Sequence, residues 1–274
     1  MTIETTRLLQ ALETTVRPKR PHLLYAVSTF TWRSMRRTLS QIPYVAIDVA
    51  VFPIVFLLIF TYLFGGAIAG STGNYLQFLL PGMLVYTVTS MTVYIGIAIK
   101  TDMDRGVFNR FRTLPFWQPA AIIGSMLVNI ATFAAALVTT LAVGIALGFR
   151  PEAGIGGVVL AFLLVVLYAF SISWIFACIG IVVRKMESIS SLSYIVMYPL
   201  LFTSNVFADT STMPVWLGRI VAYNPVSLAS SAARGLMHGT APLGDVLLTL
   251  AGLAIVMLVF MPLAFRLYRR KAGG

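Results

Sequence analysis

The chain has 274 residues, of which 58% are hydrophobic and only 11% charged, a composition too apolar for a water-soluble surface. Its 20 lysines and arginines outweigh 9 acids, for a formal net charge of +11. In an integral membrane protein such an excess gathers on the cytoplasmic side against anionic lipid, so the charge argues for membrane lipids as partners and against nucleic acid. A bilayer-spanning helix needs about 20 apolar residues, which leaves room for six spans and short loops but for no large soluble domain.

Residues 1–20 are polar and lack the short apolar core of a cleavable signal. Residues 22–42 cannot span, because Arg33, Arg36 and Arg37 interrupt them. Wound at about 100° per residue, Leu24, Val27, Met35, Leu39 and Ile42 fall on one side with the three arginines opposite. That is the pattern of an amphipathic helix in the cytoplasmic interface, ended by Pro43. A solvated helix packed on another subunit is the alternative reading.

Six apolar segments follow, at about 44–66, 76–99, 119–148, 155–183, 189–207 and 243–265. Their mixed Leu, Val, Ile, Ala and Phe without ten-residue alternation predicts helices and not a transmembrane barrel. Six helices put both termini on one side, and seventeen of the 20 cations fall there; Arg150, Arg219 and Arg234 fall on the other. This asymmetry predicts a multi-pass plasma-membrane protein with both termini, and the loops after spans two and four, in the cytoplasm. The domain division is then a cytoplasmic segment 1–43, a membrane domain 44–265 and a basic tail 266–274. Pro53, Pro81, Pro199 and Pro262 lie in or beside spans one, two, five and six, where each removes a backbone hydrogen bond and permits a kink.

Two connections carry more information than the rest. In residues 100–119, Met103, Val107, Phe111 and Leu114 recur at helical spacing, Asp102 and Asp104 come early, Arg105, Arg110 and Arg112 late, and Pro115 ends the run. The spacing predicts a short capped helix, an amphipathic knob on the cytoplasmic surface or a helix that only orients spans two and three. On the other side, residues 208–242 carry Pro214, Trp216, Asn224 and Pro225, and two short helices dipping into the outer interface suit them better than an extended loop.

The chemistry of an enzyme is missing. None of Lys19, Lys100, Lys185 and Lys271 follows a glycine, so the Gly-Lys pair of a phosphate-binding loop does not occur. His22 and His238 lie on opposite predicted sides, Cys178 is alone in an apolar run, and no metal-ligand or nucleophile spacing appears. The chain is expected to be no enzyme, with no catalytic residue, metal or cofactor of its own. Within the predicted spans, Asp48 is the one acid besides Asp245 at the start of the sixth. A carboxylate there can attract a basic amphiphile, or can simply be a first-turn acid favoured by the helix dipole. Met83, Tyr86, Tyr94, Tyr194, Met197, Tyr198 and Phe202 recur along spans two and five, a surface that suits planar apolar ligands and also ordinary helix packing.

Residues 100–119, with central Gly106 and terminal Leu114-Pro115, resemble the coupling helix of ABC type-2 exporter permeases. More narrowly, Phe52-Pro53-Ile54-Val55-Phe56, Phe60-Thr61-Tyr62-Leu63-Phe64-Gly65-Gly66, Leu80-Pro81-Gly82-Met83, Thr101-Asp102-Met103 and Gly106-Val107-Phe108-Asn109-Arg110-Phe111-Arg112 resemble the daunorubicin/doxorubicin resistance permeases. So do Met213-Pro214-Val215-Trp216-Leu217 and the set Asn224, Pro225, Val226, Ser227 and Arg234, which are similar to the re-entrant outer helices before the last span of that family. The resemblance runs from about Arg33 onward. Many type-2 permeases carry glutamates where this chain has Asp104 and Asn109, so the charge offered to a partner is reduced and shifted.

The resemblance implies an all-α permease of six transmembrane helices, with an N-terminal interfacial helix, a cytoplasmic coupling helix and re-entrant outer helices. It implies a homodimer, or a heterodimer with a sister permease, bound to two copies of a cytosolic ABC ATPase that hold ATP and Mg. Closure of the ATPase pair would move Asp102, Asp104, Arg105, Gly106, Val107, Phe108, Arg110, Phe111 and Arg112, and with them spans one, two and five, in alternating access. The expected cargo is a hydrophobic or amphiphilic drug, antibiotic or lipid; a polysaccharide or teichoic-acid precursor is the alternative. An ion-driven secondary transporter is disfavoured, because acids deep in the spans and paired broken helices in two repeated halves are lacking. A non-transporting scaffold or a membrane enzyme would bring neither cargo nor ATPase.

Overall fold

The computed structural model describes residues 23–40, 46–104 and 120–273. Regular structure among the described residues is helical throughout. Helix α1 spans Leu23–Leu39, α2 Val49–Ala69, α3 Thr72–Asp104, α4 Ala120–Ala146 and α5 Gly154–Val182. Then come α6 over Met186–Phe202, α7 over Val215–Ala222, α8 over Pro225–His238 and α9 over Leu243–Gly273. Five of these, α2, α3, α4, α5 and α9, are long and apolar enough to cross a membrane.

Helices α3 and α5 form the centre, and their crossing is set by two glycines. A Cβ on Gly96 would lie 2.8 Å from the Phe176 carbonyl oxygen, and one on Gly180 would lie 2.7 Å from Gly96 Cα. Small residues let helix backbones approach this closely, which is how membrane helices gain packing without a hydrophobic drive between them. Tyr168 on α5 reaches across to Thr89 on α3, hydroxyl to hydroxyl at 2.8 Å, so the buried polar groups of this seam are paired. Helices α2, α4 and α6 flank α3, α9 flanks α5, and α8 wedges against both central helices near the start of α3.

The boundaries differ from expectation in three places, each for a physical reason. The connection between the first two predicted spans shrinks to Gly70 and Ser71, because Gly70 takes φ +70°, a left-handed turn that glycine adopts without strain. The fifth predicted span, 189–207, forms a helix of 17 residues that ends at Phe202. At 1.5 Å per residue it is about 25 Å long, short of a roughly 30 Å hydrocarbon core. Its end is capped from a distance: Asn224 Nδ2 donates to the carbonyls of Leu200 (2.8 Å) and Thr203 (2.9 Å), while Asn224 Oδ1 accepts the Val226 N–H at 2.8 Å as the N-cap of α8. One asparagine closes one helix and opens the next.

The third difference is the tail. Residues 266–273, expected as a separate basic segment, continue α9 without a break. Tyr268 is buried there, and Lys271 Nζ donates to the carbonyls of Ile181 and Val182 in the last turn of α5. A cation on the orphan carbonyls of a helix C-terminus is favourable both as hydrogen bond and as charge against the dipole, and it anchors the extension.

Helix α1 packs on its own chain. A Cβ on Gly124 of α4 would meet Phe30 Cβ at 2.7 Å, so the two backbones nearly touch. Val27 and Met35 of the expected apolar face are half-buried, whereas Leu39 is exposed and Arg36 stacks over Trp32 at 5.4 Å. Leu24, Ile42 and Pro43 lie outside what the structure describes of side chains.

Candidate functional site

The most extended chemical feature is a ladder of aromatic rings. On α2, Phe52, Phe56, Phe60 and Phe64 follow one another at centroid distances of 4.6, 6.0 and 5.3 Å. Four-residue steps drift by about 40° in a straight α-helix. The chain is π-helical over Phe60–Phe64, and this wider turn counters the drift, keeping the rings on one side. The ladder then crosses between helices: Phe56 to Tyr86 of α3 at 5.4 Å, and Phe60 to Phe207 at 4.5 Å, with Tyr86 edge-on to Phe207 at 5.5 Å. From Phe207 it continues along α6 through Phe202 (6.4 Å), Tyr198 (6.0 Å) and Tyr194 (5.3 Å).

Such offset and tilted pairs each contribute beyond the area they bury, and together they form a continuous face for a flat apolar molecule. The face is open along α6, where Phe202 is 68% exposed and Tyr198 48%, whereas Tyr86 is buried behind Phe56 and Phe207. Of the residues expected on a substrate path, the structure brings Tyr86, Tyr194, Tyr198 and Phe202 together. Tyr94 is exposed two turns along α3 from Tyr86. Met83 and Met197 are buried in helix packing and are not accessible on this face. Asp48 lies in the π-helical turn Ile47–Val51, where α2 begins. The ladder also contains Phe52, Phe56, Phe60, Phe64 and Phe207; a phenylalanine at every fourth position marks the first four in the sequence.

Where α3 ends, Lys100 pairs with Asp104 one turn on, and Lys271 reaches from α9 to the end of α5 as described. Lys271 thus ties the ends of α9 and α5 together, while the Lys100–Asp104 pair stays within the last turns of α3. Asp102 and Asp104 form the last turn of α3. Arg105, Gly106, Val107, Phe108, Arg110, Phe111 and Arg112 lie outside the described residues.

Near the start of α3, α8 repairs a defect in that helix. Pro81 has no N–H to give the Gln77 carbonyl, which would be its partner in a regular helix. His238 Nε2 sits 3.1 Å from that carbonyl, within donating reach, and Arg234 Nε donates to the next one, Phe78, at 3.0 Å. The Arg234 guanidinium also lies 3.8 Å from the Phe78 ring centroid and donates to the Asn205 carbonyl at 3.2 Å. Burial pulls the Arg234 pKa down to about 10, an effect that Asp209 opposes. Asp209 is held below the ordinary carboxylate range first by the Ser211 N–H, which donates to its Oδ1 at 2.8 Å. Of the outer motif, then, Asn224 and Pro225 open α8, Ser227 accepts the Asn205 N–H at 3.1 Å, and Arg234 fastens α8 to α3. Among the described residues no group of three or more His, Cys, Asp or Glu could hold a metal ion.

The chain matches the model of the family described as ABC-2 type transporter over residues 25–238. It is 50% identical over 255 residues to the daunorubicin resistance ABC transporter permease protein DrrB1 of Streptomyces coeruleorubidus, covering 93% of this chain and 90% of that one. It is 20% identical over 224 residues to the probable doxorubicin resistance ABC transporter permease protein DrrC of Mycobacterium tuberculosis, covering 80% and 81%. A putative transport permease, ycf38, of Cyanophora paradoxa is 25% identical over 189 residues, covering 67% and 64%.

Proposed function

We propose, on the premise that this chain belongs to the ABC-2 type transporter family, that it is the membrane subunit of an ATP-driven exporter of hydrophobic or amphiphilic drugs. The observation that carries the cargo class is the open aromatic ladder from Phe52 to Tyr194, a surface on which planar rings stack. The names of its relatives, daunorubicin and doxorubicin resistance permeases, point to the same class.

In this reading α6 completes six crossings, both termini are cytoplasmic, and two copies of the chain face each other across the ladder. Two copies of a cytosolic ABC ATPase, holding ATP and Mg, dock on the loop that begins at Asp102. Their closure moves the loop and, through α3, the helices α2 and α6 that carry the ladder. The packing of α3 against α5, whose last carbonyls are held by Lys271 of α9, supports this route, because a push at the end of α3 is passed to a fastened helix end. Alternating access is then a two-state rearrangement that both the ATPase and the cargo bias.

The test is a mild-detergent pull-down of the tagged chain from its native membranes. A stoichiometric partner carrying a Gly-x-x-x-x-Gly-Lys-Ser/Thr loop is expected. A lone oligomer, in a preparation that preserves other membrane complexes, contradicts the reading.

Two substitutions probe its parts. Asp48→Asn is expected to weaken export of cationic substrates more than of neutral ones, compared as initial efflux rates; equal loss of both contradicts charge recognition at Asp48. Gly106→Val, or charge reversal at Arg110 and Arg112, is expected to uncouple ATP hydrolysis from transport or to release the ATPase. Coupling that survives both changes would reduce the loop to an orienting element.

A further inference from the structure

Helices α1 and α4 nearly touch at Phe30 and Gly124, and beside that contact they leave a cavity of about 540 Å³, lined by Val27, Ser28, Thr31, Trp32 and Met35 of α1 and Leu127 of α4. Its wall is apolar. The two hydroxyls that border it are turned back on their own helix, Ser28 Oγ donating to the Tyr25 carbonyl at 3.0 Å and Thr31 Oγ1 to the Val27 carbonyl at 2.8 Å. The cavity is many times the volume of one water, about 30 Å³, and a wall without polar partners does not hold ordered water. Trp32 and Leu127 are nonetheless 60% and 42% exposed, so apolar surface stands open here for a partner.

The charge around the cavity has one sign. Between Glu13 and Asp48 the sequence carries six lysines and arginines and no acid. Of these, Arg36 stands at the cavity itself: its guanidinium lies over the ring of Trp32, 5.4 Å from the centroid. Stacking uses the flat face of a guanidinium and leaves its N–H edge for an anion, in the fork geometry that suits a phosphate. An apolar slot with a cation at its rim matches an amphiphile that has a hydrocarbon chain and a negative head.

From this pairing we infer that the cavity holds an acyl chain of one anionic phospholipid, whose phosphate is bound at Arg36. The occupant is one lipid per chain at a fixed place, and not the diffuse attraction that any basic interfacial helix exerts on anionic headgroups. A zwitterionic lipid fills the cavity equally well with its chain but brings Arg36 no net charge. Bound there, the lipid extends the packing of α1 on α4 and holds the N-terminal helix to the rest of the chain. The inference requires a membrane and is independent of what the aromatic ladder exports.

The full-length chain, purified in mild detergent and stripped of lipid, is titrated with dioleoyl phosphatidylglycerol and with dioleoyl phosphatidylcholine, and bound lipids are counted by native mass spectrometry. Saturation at one phosphatidylglycerol per chain is expected, about tenfold tighter than phosphatidylcholine, roughly what a charge-assisted hydrogen bond contributes. Arg36→Gln is expected to remove that preference and Arg36→Lys to keep part of it. Leu127→Trp, which fills the cavity from an exposed position, is expected to weaken both lipids about tenfold, the equivalent of roughly two buried methylenes.

Phosphatidylglycerol affinity unchanged by Leu127→Trp would mean attraction to the basic surface alone. Equal affinity for the two lipids would mean that Arg36 takes no part, and an absence of saturable binding would mean that another segment of the protein or a second copy covers the groove. Each of these results overturns the inference. Should Leu127→Trp fail to fold, judged by size-exclusion and thermal melting, Ser28→Phe fills the same cavity from an exposed position on α1 and decides in its place.

Discussion

Gly180→Leu is expected to reduce folded protein in the membrane to background, while Gly180→Ala is expected to lower stability by roughly 1–3 kcal/mol, the usual range for overpacking. The reason is that the new atoms would meet backbone. A Cβ at Gly180 would lie 2.7 Å from Gly96 Cα and 2.8 Å from its carbonyl carbon, and neither can swing aside as a side-chain terminus could. The α3–α5 crossing would have to open, and with it the Thr89–Tyr168 hydrogen bond and the packing of Phe176 and Ile189 around Gly96. Gly156 is the control on the same helix: nothing lies within 4 Å of its Cβ position, so Gly156→Ala is expected to be neutral or slightly stabilising. Thermal melting of purified protein, with the monodisperse fraction from size-exclusion, checks all three.

The second large effect is expected at the outer clasp. Arg234→Met is expected to lower stability by about 3 kcal/mol, because it withdraws two charged hydrogen bonds, from the carbonyls of Phe78 and Asn205, the second of which belongs to a buried residue. The adjoining His238→Ala is expected to lower it by about 1–2 kcal/mol by orphaning the Gln77 carbonyl. This last loss should depend on Pro81. In a Pro81→Ala background residue 81 regains an N–H for that carbonyl, so His238→Ala should become nearly neutral, a coupling of about 1 kcal/mol in a double-mutant cycle. Additive effects would mean that His238 acts through its ring contact with Phe149, at 5.8 Å, and not through the proline kink.

These clasps mark how far the sequence could be read. The helical class, the N-terminal helix and two short helices before the last span follow from local signals: apolar length, the arginines at 33, 36 and 37, and the prolines around Asn224. What escaped was non-local. Nothing between Ile189 and Phe207 says that the helix stops at Phe202; the stop is written at Asn224, more than 20 residues away. The charges after Phe265 look like a tail to a hydropathy window, which cannot see that Lys271 has the end of α5 to bind.

Among the candidate path residues, Met83 is suggested by its chemistry alone. Helix α3 is buried on nearly every face over Leu79–Thr89, so its sequence has no polar side to reveal which residues turn toward an open surface. The opposite holds for α2. Its phenylalanines at 52, 56, 60 and 64 repeat at a helical step and could have been recognised as one stripe, but Phe207, which joins that stripe to α6, could be placed only in three dimensions.

The most direct test of the account is transport in proteoliposomes holding this chain and its co-purified ATPase, with a fluorescent planar cationic amphiphile outside and ATPase domains facing outward. The account predicts accumulation that requires ATP, requires both proteins, and disappears when the lysine of the ATPase phosphate-binding loop is replaced. Accumulation driven by an ion gradient with the chain alone, indifferent to ATP and to the ATPase, would contradict it.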